Sequence, residues 1–86
     1  MKNPFNEKRA PALFKLFKTL VEAPGDVDVF DLHEKVRGAC KTLDPREVQM
    51  ALSPVISRAN KKLEAQGFRV VLGKNDYTYT ITELNL

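Results

Sequence analysis

Within ten residues the chain places Ser53, Ser57, Arg58, Asn60, Lys61 and Lys62. Cationic heads only donate hydrogen bonds, a carboxamide donates and accepts side by side, and a hydroxyl does either. Arginine or lysine can meet O6 and N7 of guanine, and asparagine can meet N6 and N7 of adenine. Serines at the start of a helix can hold a phosphate, helped by the unpaired N–H groups there. A second set follows at Arg69, Lys74 and Asn75. It suits backbone phosphate or a minor groove. A solvated helix face and a soluble turn use the same residue types, so the chemistry stands beside a plain structural alternative.

Other chemistries find less material. His33 is the only histidine and Cys40 the only cysteine, seven residues apart. A zinc site needs three or four ligands, and these two with scattered carboxylates do not supply them. No glycine-rich phosphate loop is present, and no second histidine offers a base for a serine nucleophile. The carboxylates between Glu22 and Glu34 read as cap and turn residues. No catalytic residue, metal or cofactor is expected, and the chain reads as a binding protein rather than an enzyme.

The charge pattern agrees with a polyanionic partner on one side. Residues 1–18 carry five cations and one anion, residues 22–34 carry five anions and no Lys or Arg, and residues 53–74 carry five cations and one anion. The net charge of +3 is mild. That keeps a protein partner open beside nucleic acid. An 86-residue chain with 43% hydrophobic and 29% charged residues makes one small soluble domain. Lys15 and Lys18 interrupt the apolar run Ala12–Val21, which excludes a membrane span there. A lone cysteine suits a reducing, cytoplasmic setting.

The elements that must position these residues follow from spacing. Residues 1–8 read as a flexible arm, with Phe5 as the residue that can anchor it. Leu13, Leu16, Phe17 and Leu20 recur at helical spacing, predicting a helix over Arg9–Ala23 that Pro24-Gly25 ends. Val27 and Val29 alternate with aspartates and predict a very short strand. A helix over Phe30–Ala39 follows, with Asp28 as its cap. Asp44-Pro45 starts another helix, expected to end near Leu52 because Ser53-Pro54 repeats the same start grammar. A fourth helix is expected over Pro54–Gln66, with Gly67 as its left-handed stop. Phe68–Leu72 and Tyr77–Thr82 alternate as strands, joined by the turn Gly73-Lys74-Asn75-Asp76. Projected at about 100° per residue, Val55, Ile56, Ala59 and Leu63 share one side of the fourth helix. Lys61 centres the opposite side with Ser57, Arg58 and Glu64, while Asn60 and Lys62 flank the core stripe. Arg9, Lys15 and Lys18 lie away from that surface and read as solubilising, or as a face for a second subunit.

The order is helix, short strand, helix, helix in two pieces, and a C-terminal β-hairpin. That is an α+β domain with the winged helix-turn-helix order, spanning residues 1–86. The segment ISRANKKLEAQGFRVVLGKNDYTYTI (Ile56–Ile81) then resembles the end of the DNA-binding effector domain of two-component response regulators. Ile56, Ser57, Arg58, Lys61, Lys62, Leu63, Gly73 and Tyr77 fit its pattern. Asn60 stands where the family often has arginine, Ala59 where it often has leucine, and the turn lacks the family's second glycine. The resemblance implies the fold and a nucleic-acid role. With no phosphoacceptor region beside it, it does not imply a place in a phosphorelay. The expected function is a stand-alone transcriptional regulator that binds double-stranded DNA sequence-specifically. Helix 54–66 would lie in the major groove and wing 68–82 on the backbone. A homodimer on a paired site is expected because one winged helix has a small footprint. The alternative is a winged-helix module that binds a transcription or nucleoid protein.

Overall fold

Pro11 opens helix α1 (Pro11–Glu22), where its fixed φ is already helical and its missing N–H would have had no partner. The stripe predicted from spacing buries Leu16, Phe17 and Leu20. The computed structural model describes residues 2–41 and 44–84. Ahead of α1 the chain is folded down rather than loose. Phe5 is 6% exposed and meets Phe17 edge-on at 6.3 Å between ring centres. The Asn3 amide donates to Phe14 O at 3.0 Å and accepts from Phe5 N–H at 2.9 Å. Asn6 Oδ1 accepts from the N–H groups of Lys8 and Arg9, making the turn that precedes the helix. The flexible arm expected over residues 1–8 is thus a packed segment from Asn3 onward, because Phe5 finds a place in the core.

Strand β1 (Val27–Asp28) is only two residues long, and helix α2 (Val29–Arg37) begins directly after it. Val29 therefore belongs to the helix and not to the strand. The Asp28 carboxylate caps Phe30 N–H at 2.9 Å, while Val29 N–H donates to Tyr77 O at 2.8 Å. The helix stops at Gly38, whose φ of +96° suits a residue without Cβ. His33 Nδ1–H donates to Gly38 O at 3.1 Å, which occupies the ring at this helix end.

Asp44 caps helix α3 (Pro45–Glu64) by accepting from Arg46 N–H at 3.0 Å. The two helices expected either side of Ser53-Pro54 are one helix of 20 residues. Val48, Leu52, Val55, Ala59 and Leu63 stay in phase across the proline and are all buried. Pro54 points to solvent. A proline inside a helix costs about 3 kcal/mol. Each buried aliphatic side chain returns about 1.5–3 kcal/mol, so the three beyond Pro54 hold the helix straight through. Gly67, with φ of +87°, closes the C-terminal turn by donating to Glu64 O at 3.1 Å.

Strands β2 (Phe68–Leu72) and β3 (Thr78–Glu83) pair antiparallel, with Val70 opposite Ile81 and Leu72 opposite Tyr79. Strand β1 joins the other edge of β3, giving the order β1-β3-β2. The domain is α+β, three helices against a three-stranded antiparallel sheet. Its core joins Phe5 and the helix stripes to Val27, Val70 and Tyr79. Among the described residues no helix is long and apolar enough to cross a membrane.

Candidate functional site

Helix α3 carries most of the predicted contact residues, and its rotation sorts them. Ser53, Ser57 and Lys61 follow at four-residue steps and form one exposed row. Arg46 and Met50 extend that row toward the start of the helix, both exposed. Arg58 is exposed one step round from the row. Between the row and strand β2 lies a hollow of about 340 Å³, lined by Ser57, Lys61, Glu64 and Arg69 among others. It continues past Ser53 and Ile56 into a second hollow of about 340 Å³ beside Met50, Leu72 and Tyr79. The groove is therefore polar at one end and apolar at the other.

Three predicted residues have structural partners. The Asn60 amide donates to Val70 O at 3.1 Å and accepts from Val70 N–H at 2.8 Å. It lines the groove, but reading adenine would require breaking both bonds. Lys62 turns to the side of Phe5, its Nζ 5.6 Å from the ring centre. Arg69 is paired with Glu64 at 2.7 Å, both side chains about half exposed. Such a surface pair contributes about 0–1 kcal/mol, so it positions Arg69 more than it stabilises the fold.

The hairpin tip is fixed from a distance. Lys74 N–H donates to Asp26 Oδ2 at 2.8 Å, and Gly73 N–H donates to Thr78 O at 2.9 Å. A Cβ on Gly73 would overlap the Asp26 carboxylate and stand 2.6 Å from Thr78 Oγ1. Asn75 Oδ1 accepts from Tyr77 N–H at 3.0 Å, so that side chain shapes the turn. The Lys74 side chain is exposed. On the opposite flank, Gln49 Nε2 donates to Asp76 O at 2.7 Å and ties α3 to the turn. Burial pushes the Tyr79 phenol above its usual pKa, and the Gln49 side chain partly offsets this.

Residues not singled out in the sequence also converge. Arg9, Arg37 and Arg58 line one pocket of about 220 Å³ with the first turn of α1. Arg9 had been set apart from the contact surface, because spacing cannot show that the start of α1 meets the end of α2. The signal was a cation just before the proline that opens a helix. Lys15 and Lys18 instead line a separate hollow with Lys35 and Glu22. Among the described residues no group of three or more His, Cys, Asp or Glu could hold a metal ion. The chain matches no family model, no curated protein and no solved structure.

Proposed function

We propose that the protein binds double-stranded DNA sequence-specifically through a winged helix-turn-helix domain and acts as a transcriptional regulator. Helices α2 and α3 form the helix pair, α3 lies in the major groove, and the β2–β3 hairpin is the wing on the backbone. The element order and the sheet order β1-β3-β2 support that assignment.

The observation that carries the reading is the outer row of α3. Arg46, Ser53, Ser57, Arg58 and Lys61 are all exposed, and among the described residues none of their side chains is hydrogen-bonded or ion-paired. Twenty residues of helix span about 30 Å, close to one turn of duplex at about 34 Å. Free donors in that row match guanine edges and phosphates. Selection from a random duplex pool, followed by binding of Arg58→Glu/Lys61→Glu, tests it. The double variant should lose binding and keep its far-ultraviolet circular dichroism. Unchanged binding of the selected duplex would remove α3 as the reader.

A second reading, a module that docks a transcription or nucleoid protein, is favoured by one observation. Met50 is 73% and Leu72 51% exposed at the apolar end of the groove. No retardation of pooled DNA at micromolar protein, with a protein partner captured by the wild type and lost by Met50→Glu/Leu72→Glu, selects it.

A further inference from the structure

We propose that Arg9, Arg37 and Arg58 form a phosphate pocket that takes a backbone phosphodiester of the nucleic-acid strand flanking α3. This rests on the DNA-binding reading above and adds a contact outside the groove row.

The three arginines come from three places: the turn before α1, the last turn of α2, and the middle of α3. Folding brings them round one hollow of about 220 Å³. At about 30 Å³ per water, that is room for some seven waters or one tetrahedral oxyanion with its solvent. The remaining lining is Ala10, Pro11, Ala12, Leu13 and Val55, so no carboxylate faces the three cations. Among the described residues none of the three guanidiniums is hydrogen-bonded or ion-paired. Like charges gathered without a counter-charge repel one another, and an anion relieves that.

The other cationic places on the surface differ in this respect. Arg69 is held by Glu64, and Lys15, Lys18 and Lys35 share their hollow with Glu22. The residue type is also informative. A guanidinium offers a planar fork that matches two phosphate oxygens, which a lysine ammonium does not. Ala10 gives α1 no side-chain cap, so the N–H groups of Ala12 and Leu13 add donors at the same wall. Arg58 lies one step round α3 from Ser57, which puts the pocket beside a duplex seated on the outer row.

The test uses the full chain with Arg9→Gln/Arg37→Gln, leaving Arg58 and Lys61 in place. Both positions are exposed, and an unchanged thermal midpoint establishes that the variant folds. Fluorescence anisotropy on the selected duplex should show a salt slope shallower by about two, at about 0.9 per lost phosphate contact. A fourfold rise in salt then costs the variant about tenfold less affinity than it costs the wild type. The ratio of selected to scrambled duplex affinity should stay the same, because phosphate contacts carry no sequence information. An unchanged slope overturns the pocket and leaves the α3 reading standing. If the wild type binds no DNA, titration with inorganic phosphate decides alone. Amide shifts at Ala12 and Leu13 that vanish in the variant keep an anion pocket while the α3 reading fails, and no shifts remove both.

Discussion

Asn60 and Val70 are joined twice: the carboxamide of α3 gives its N–H to the Val70 carbonyl and takes the Val70 N–H in return. Strand β2 is an edge strand, and Val70 stands opposite Ile81 with its own donor and acceptor turned outward. An open edge is a template for pairing with another chain. Asn60 closes it at its centre, and Leu84 N–H donating to Gly67 O at 2.8 Å adds a bond just before β2. The same amide fixes the spacing between α3 and the hairpin, and with it the width of the groove.

Asn60→Ala should therefore act on stability before it acts on recognition. Two half-buried backbone groups lose their partner, which costs about 1–3 kcal/mol. At about 4–8 °C per kcal/mol in a domain of this size, the thermal midpoint falls measurably. Well below that midpoint, the preference for a selected duplex over a scrambled one should survive. A variant that melts like the wild type but loses adenine-containing targets would make Asn60 a base reader instead.

Gly73 and Asp26 should show a coupled effect. Gly73→Ala drives a methyl group into the Asp26 carboxylate and the Thr78 hydroxyl, an overpacking cost of about 1–3 kcal/mol. Asp26→Ala removes one of the two obstacles and also leaves Lys74 N–H without its acceptor. The double variant should then cost less than the two single losses added together. Strict additivity in urea unfolding would mean that the tip is not held against Asp26.

Much of this scaffold was legible in the chain, and the parts that were not share a cause. Pro11, Asp28, Asp44 and Gly67 act within a turn of themselves, so their signals survive without knowledge of the fold. The alternation of residues 68–72 and 77–82 is local as well. Pro54 is different. Ser53-Pro54 has the grammar of a start, but the deciding fact is that Val48, Leu52, Val55, Ala59 and Leu63 face a single core. A tertiary stripe overrode a local rule. Asn60 was visible at the margin of the stripe, but its partner lies on an edge strand whose neighbours are set by sheet order. The arginine pocket needed three elements at once, and no spacing in the sequence encodes that.

Tyr79 gives a pH prediction with a definite sign. Its folded pKa is raised above 10.0 by burial, so the folded state holds the phenolic proton more tightly than the unfolded chain does. The stabilisation is complete below the unfolded value and is lost as pH rises through the folded one. The denaturation midpoint of the wild type should fall above pH 10 more steeply than that of Tyr79→Phe. Lysines titrate in the same range in both proteins, so the difference between the two curves is the readout. Parallel curves would mean that the phenol ionises without unfolding anything.

Glu64 offers the sharpest test of where a polyanion lies. Its carboxylate stands in the groove beside Lys61 and holds Arg69 at 2.7 Å. Removing a surface ion pair of this kind changes stability by less than about 1 kcal/mol. If the groove faces a nucleic-acid backbone, Glu64→Gln both frees Arg69 and deletes a repulsive charge. Binding should then tighten, and the salt slope should steepen by up to about 0.9, the value of one added phosphate contact. Lys61→Ala should move both quantities the other way. The pairing matters because a merely structural role for the groove predicts no change in slope from either substitution. Equal salt dependence for wild type, Glu64→Gln and Lys61→Ala would place the partner's charge elsewhere on the surface.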